Sequence, residues 1–139
     1  MDKLAVVKRG LFDGLKITWE LTKVMVPVYF IITFLQYTPA LDWMVRVSEP
    51  ITSLVGLPGE AALPLVLANA INTYPALPAI MAFPFTTKQI TILATMILLC
   101  HSIPIEAVIA KKSGANPVTV VGIRALMALF AGVLLNIIL

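Results

Sequence analysis

Residues 61–87 read AALPLVLANAINTYPALPAIMAFPFTT, and how this stretch divides decides the fold. It carries no charge, and as one helix of 27 residues it would reach about 40 Å, enough to cross a bilayer. Four prolines, Pro64, Pro75, Pro78 and Pro84, argue against a single helix. A proline in a helix interior removes a backbone donor and clashes with the carbonyl four residues earlier, at a cost of about 3 kcal/mol. The centre, Asn72-Thr73-Tyr74-Pro75, is turn chemistry. Division there predicts two helical pieces, 61–70 and 76–87, of about 15 and 18 Å, each covering half the hydrocarbon. With Glu60 ahead of it, the stretch 60–87 reads as a re-entrant helical hairpin.

Outward from the hairpin, three segments are apolar enough to span. Residues 24–41 carry no charge, 89–110 are interrupted only by His101 and Glu106, and 117–139 hold one charge, Arg124. As helices they reach about 27, 33 and 34 Å, close to the hydrocarbon thickness. The composition agrees: of 139 residues, 60% are hydrophobic and 12% charged, and mean hydropathy is +0.98. A soluble domain carries roughly 25% charged residues, so lipid is the solvent for much of this chain. The basic pI of 9.2 does not indicate nucleic-acid binding, because the net charge is only +3 and the basic residues flank apolar runs.

Residues 1–22 set Leu4, Val7, Leu11 and Leu15 on one helical face and read as an amphipathic interfacial helix with Trp19 at headgroup depth. Residues 23–139 then form a single membrane domain, in which 42–57, mixing Trp43, Met44 and Val47 with Asp42, Arg46 and Glu49, is too polar to span and lies at the surface. The fold class is all-α integral membrane, with three spans, one of them broken near Pro104. If the hairpin turns back, seven basic residues (Lys3, Lys8, Arg9, Lys16, Lys23, Lys111, Lys112) fall on the amino-terminal side and two (Arg46, Lys88) on the other. The positive-inside rule then makes the N-terminus cytoplasmic.

Polar residues inside such a chain are site candidates. Glu60 is either a helix amino-terminal acid or a ligand at the hairpin base. Asn69, Asn72, Thr73 and Tyr74 cluster at the tip, where irregular backbone at membrane depth must be buried in protein or line a wet cavity. Ser102 and Glu106 sit one turn apart beside Pro104, which interrupts the third apolar stretch. His101 is either a hydrogen-bonded core residue or part of that site. Ala128-x-x-x-Gly132 permits close helix approach within the chain or between chains. No nucleophile–base pair, metal-ligand motif or phosphate-binding glycine loop occurs, so no catalysis and no metal site are expected.

Three motifs carry a family resemblance: Gly56-Leu-Pro-Gly-Glu-Ala-Ala-Leu-Pro-Leu65, Pro75-Ala-Leu-Pro-Ala-Ile-Met-Ala82 and Ser102-Ile-Pro-Ile-Glu-Ala107. Over about residues 50–139 the chain resembles the nucleoside-recognition, or Gate, family, which includes spore maturation membrane proteins and the gate domains of ferrous-iron transporters. It is more distantly similar to one repeat of the concentrative nucleoside transporters, which run interfacial helix, hairpin, broken helix and span. The resemblance implies ligand binding at Glu60 and a cation site near Ser102–Glu106. Those transporters use two inverted repeats and this chain reads as one, which implies a homo-oligomer or a heteromer with a related Gate protein. The function expected is a small membrane transporter or gate-type subunit for a small polar solute or ion, in the cytoplasmic membrane of a prokaryote, with no cofactor beyond a coupling Na+ or H+. The rival is a non-transporting accessory subunit docked to a partner protein.

Overall fold

The computed structural model describes residues 3–139, with no strand among them. The chain runs through α1 (Lys3–Leu35), α2 (Pro39–Thr52), two 3-10 turns (Ser53–Val55 and Gly59–Ala61), α3 (Ala62–Ala70), α4 (Thr73–Met81), α5 (Thr87–Leu99), α6 (Ile103–Lys112) and α7 (Pro117–Ile138).

Prolines start helices here more often than they interrupt them. Pro39 and Pro117 open α2 and α7, Pro104 is second in α6, and Pro64 and Pro75 are third in α3 and α4. A backbone N–H in the first turn has no intrahelical acceptor, so its absence costs nothing there. This moves the second arm of the hairpin from the expected 76–87 to Thr73–Met81. Pro75 belongs to its first turn, and Pro84 lies in the connector to α5.

The two nine-residue arms are about 14 Å long, too short for either to cross a bilayer. They are antiparallel: Leu63 clusters with Ala79 near the base, and Ala68 with Ala76 nearer the tip. The buried alanines let the two backbones approach closely. Pro58 and Glu60, before α3, line the same cavity as Phe85, Thr86 and Gln89, after α4. The chain therefore leaves the hairpin where it entered.

Contacts at that end fix the rest. The Gln36 side-chain amide donates to the Ala82 carbonyl (2.8 Å), and Lys88 Nζ to the Asn136 carbonyl (2.8 Å). The end of α1, the hairpin base, the start of α5 and the end of α7 thus share one face, and the α6–α7 turn lies on the other. α1, the α5–α6 pair and α7 are long and apolar enough to cross a membrane. The segment Pro39–Val55 meets Gly59–Ala70 at 94°, so α2 runs across the foot of the hairpin.

One expectation is corrected. The interfacial helix over 1–22 and the span over 24–41 are one uninterrupted helix from Lys3, the first described residue, to Leu35. No turn-forming cluster separates them, and Pro27 lies inside the helix without ending it. What ends α1 is Pro39: it forces Thr38 into an extended conformation (φ −117°, ψ 149°), which leaves a tight turn after Leu35. At 33 residues α1 is about 50 Å long, roughly 20 Å more than the hydrocarbon needs. Residues 4–20 are exposed on every side, whereas Val28 and Ile32 pack against the hairpin.

The core lies between α5, α7 and the turn before the hairpin, where Val55, Leu57 and Ala61 meet Ile92, Leu93, Met96, Cys100 and Ala128. A Cβ on Gly132 would fall 2.9 Å from both Met96 Sδ and Val55 Cγ1. The Ala128-x-x-x-Gly132 pair therefore serves packing within the chain. Elsewhere α7 presents Leu126, Phe130 and Ile137 outward, the surface of a helix that contacts lipid.

Candidate functional site

Two backbone discontinuities meet inside the molecule. One is the hairpin tip at Ile71–Asn72, and the other is the break between α5 and α6. In a continuous helix the Cys100 carbonyl would accept from residue 104, and Pro104 has no N–H to give. The chain responds by extending Cys100 (φ −141°, ψ 111°) and placing Ser102 in the left-handed region (φ 54°, ψ 40°). That conformation costs a residue with a Cβ roughly 1–2 kcal/mol. Hydrogen bonds offset the cost: Ser102 N donates to the Ala68 carbonyl near the tip (2.9 Å), and its own carbonyl accepts from Glu106 N (3.0 Å). Ser102 Oγ lies 3.1 Å from His101 Nδ1. Tip and break are fastened to each other.

Arg124 of α7 holds the same junction from the other side. Its Nε donates to the Leu99 carbonyl (2.9 Å), an acceptor left free at the end of α5, and its Nη1 pairs with Glu106 Oε1. One guanidinium thus caps the first half of the broken span and neutralises the acid on the second. Glu106 Oε2 is buried with no hydrogen-bond partner.

Beside the junction lies a cavity of about 230 Å³, mostly apolar, lined among others by Asn69, Met96, Cys100, Ile103 and Ala125. The Asn69 side-chain N–H donates to the Leu65 carbonyl (2.8 Å), and its Oδ1 is buried without a donor. Asn69 thus lines the cavity with an amide whose buried acceptor has no donor within the chain.

Of the residues expected at a site, Asn69, Ser102 and Glu106 come together around the Ser102–Ala68 bond. Asn72 is the N-cap of α4, its Oδ1 accepting from Tyr74 N (2.9 Å), and Thr73 opens that helix. Glu60 is apart from them, nine residues before Asn69 and about 13 Å away along α3. Arg124 was not singled out from the sequence as a site residue. Its signal was present, since a lone charge in an apolar span faces a partner or a cavity.

Residues 18–116 match the family described as Gate, nucleoside recognition. The chain belongs to the Gate family. This Gate chain is also 40% identical, over 129 residues, to an uncharacterized membrane protein, YvoD, of Bacillus subtilis (strain 168). That alignment takes in 93% of the chain and 41% of the relative, so the chain spans less than half the length of the relative it matches. No solved structure matches. The family match includes the hairpin, the break and Glu106 and ends before Arg124. Membrane-crossing helices and a membrane-protein relative make this an integral membrane protein in contact with the bilayer.

Proposed function

We propose that this Gate chain is a small transporter or gate-type subunit that passes a small polar solute or ion, working as an oligomer that pairs single repeats. The observation that carries this reading is Asn69, which lines the cavity where the hairpin tip meets the broken helix and whose buried Oδ1 has no donor. Discontinuous helices that meet at membrane depth supply backbone and side-chain groups to a solute in place of water. Asn69 and Ser102 would contact the solute. Glu106 would couple Na+ or H+ through Oε2, and Arg124 would have to loosen its hold as the cation arrives.

The contacts that sort the chain ends support an orientation. Lys111 and Lys112 lie on the face opposite Arg46 and Lys88, the side to which the amino-terminal half of α1 points. The positive-inside rule then places the N-terminus in the cytoplasm of a prokaryote and the hairpin base outside. Residues 23–139 act as the membrane domain, and the preceding turns of α1 emerge from it. Oligomerisation is favoured because the chain reads as a single repeat and its hairpin covers only half the depth. The second reading, an accessory subunit docked to another protein, draws on the exposed residues 4–20 of α1.

Reconstitution in liposomes decides between them. The chain, alone or with a co-expressed Gate relative, should carry at least one solute from a panel of small polar molecules and ions. Asn69→Ala and Glu106→Gln should each reduce that flux while helicity and oligomer size are unchanged. Absence of flux across the panel, with and without the relative, favours the accessory role.

A further inference from the structure

The foot of the hairpin holds a second cavity, about 320 Å³, lined by Pro58, Glu60, Phe83, Pro84, Phe85 and Gln89 among others. Its shape follows from a tight turn: Phe85 N donates to the Phe83 carbonyl (2.9 Å) across Pro84. The turn leaves the two phenyl rings with centroids 5.7 Å apart and planes at 45°. Glu60 faces the same space, half-buried, and its carboxylate has no salt-bridge partner among the described residues. Lys88, next to Gln89 in the chain, donates to the Asn136 carbonyl, and Arg46, which follows the Val45 packed at Gly59, is exposed and makes no salt bridge among the described residues. The positive end of α3 favours an anion at this position.

We propose that this cavity binds the ammonium group of a small organic cation, between Glu60 and the rings of Phe83 and Phe85. An aromatic face attracts a cation within about 6 Å of its centroid, and the carboxylate supplies the counter-charge. Other ligand classes fit less well. An anion is repelled by Glu60. A calcium ion asks for about six or more oxygen ligands, and no group of metal-binding side chains forms among the described residues. A neutral solute leaves the Glu60 charge without a counterpart. The ammonium comes from one of two sources with the same chemistry, a free amine or the headgroup of a bilayer lipid. This site is separate from the junction at Asn69, so it stands or falls independently of the transport reading.

Calorimetric titration of the purified full chain in detergent tests the proposal, using choline and its neutral isostere 3,3-dimethyl-1-butanol. Choline should bind at least about tenfold more tightly than the alcohol. Glu60→Gln should remove most of that preference, Phe85→Leu should weaken choline binding several-fold, and Asn69→Ala should leave it unchanged. Equal affinity for choline and the alcohol, no heat from choline, or an unaltered preference in a folded Glu60→Gln chain each overturns the proposal. The comparison on the wild-type chain decides the matter even where a variant does not fold. Repeating the titration in lipid nanodiscs identifies the source. Loss of choline binding in phosphatidylethanolamine discs but not in phosphatidylglycerol discs assigns the site to a headgroup, and equal binding in both assigns it to a free amine.

Discussion

Replacing Arg124 by methionine keeps a stem that reaches about as far as Nε and removes the charged guanidinium, and the structure lets the loss be apportioned. The Glu106 side chain is 16% exposed and that of Arg124 32%. Deleting one partner of a buried ion pair costs about 3–5 kcal/mol, and the partial exposure of Arg124 puts this pair near the lower figure. The Leu99 carbonyl loses its donor as well, for a further cost of about 1–3 kcal/mol. Arg124→Met should therefore destabilise by roughly 4–6 kcal/mol. Glu106→Gln keeps the bond to Leu99 and an acceptor for the guanidinium, and should cost only about 1–2 kcal/mol. The double variant Arg124→Met/Glu106→Leu buries no charge, so its cost should fall to that of the orphaned carbonyl, about 1–3 kcal/mol. The assay is unfolding of the full chain in mixed micelles as the fraction of denaturing detergent rises, followed by helicity and by tryptophan emission. Equal losses for the two single variants, or a double variant as unstable as Arg124→Met plus Glu106→Leu, would refute this account of the junction.

Other perturbations follow from the same geometry. Gly56 has φ +71° and an added Cβ would overlap the Asn136 side-chain amide, so Gly56→Ala should destabilise by about 2–4 kcal/mol, with Asn136→Ala relieving the steric share when the two are combined in the same unfolding assay. Gly132→Val should push Met96 and Val55 apart and cost about 2–3 kcal/mol, measured the same way. Asn72→Ala should cost about 1 kcal/mol through the lost cap of α4, and its effect on flux should be smaller than that of Asn69→Ala at matched protein levels. In a Cys100→Ser background, cysteines at positions 58 and 86 should react with an impermeant maleimide from one side of the membrane and a cysteine at 111 from the other. Labelling of 58 and 86 from opposite sides would mean that the hairpin crosses.

The hairpin was legible because its information is local. Proline and asparagine act on their own turn of backbone, so the division near Asn72 could be read without knowing the neighbours of either arm. The same locality misplaced the second arm: Pro75 is equally at home just before a helix or inside its first turn, and only the Asn72 side chain on Tyr74 N shows which. The length of α1 was not legible, because nothing in the periodicity separates a helix lying on a surface from one continuing into lipid. The junction was half legible. Ser102 and Glu106 stand out as polar residues in an apolar run, but Arg124 joins them from 18 positions beyond Glu106 through a carbonyl that any residue could present. Glu60 stands out in the sequence for its neighbours in the chain, whereas the rings that share its cavity are more than twenty residues away.

The bond between Ser102 and Ala68 also constrains the order of biogenesis. During synthesis the Ala68 acceptor emerges 34 residues, and the end of the hairpin 21 residues, before the Ser102 donor. Until then the hairpin tip has a backbone acceptor that hydrocarbon does not satisfy, at a cost of several kcal/mol. The two arms therefore wait near the water boundary, or under the cover of an insertion factor, and sink to full depth only when the broken helix arrives to receive them. A ribosome-bound chain stalled before Ser102 emerges should leave residues 69–73 open to protease, and one stalled after Pro117 should hide them.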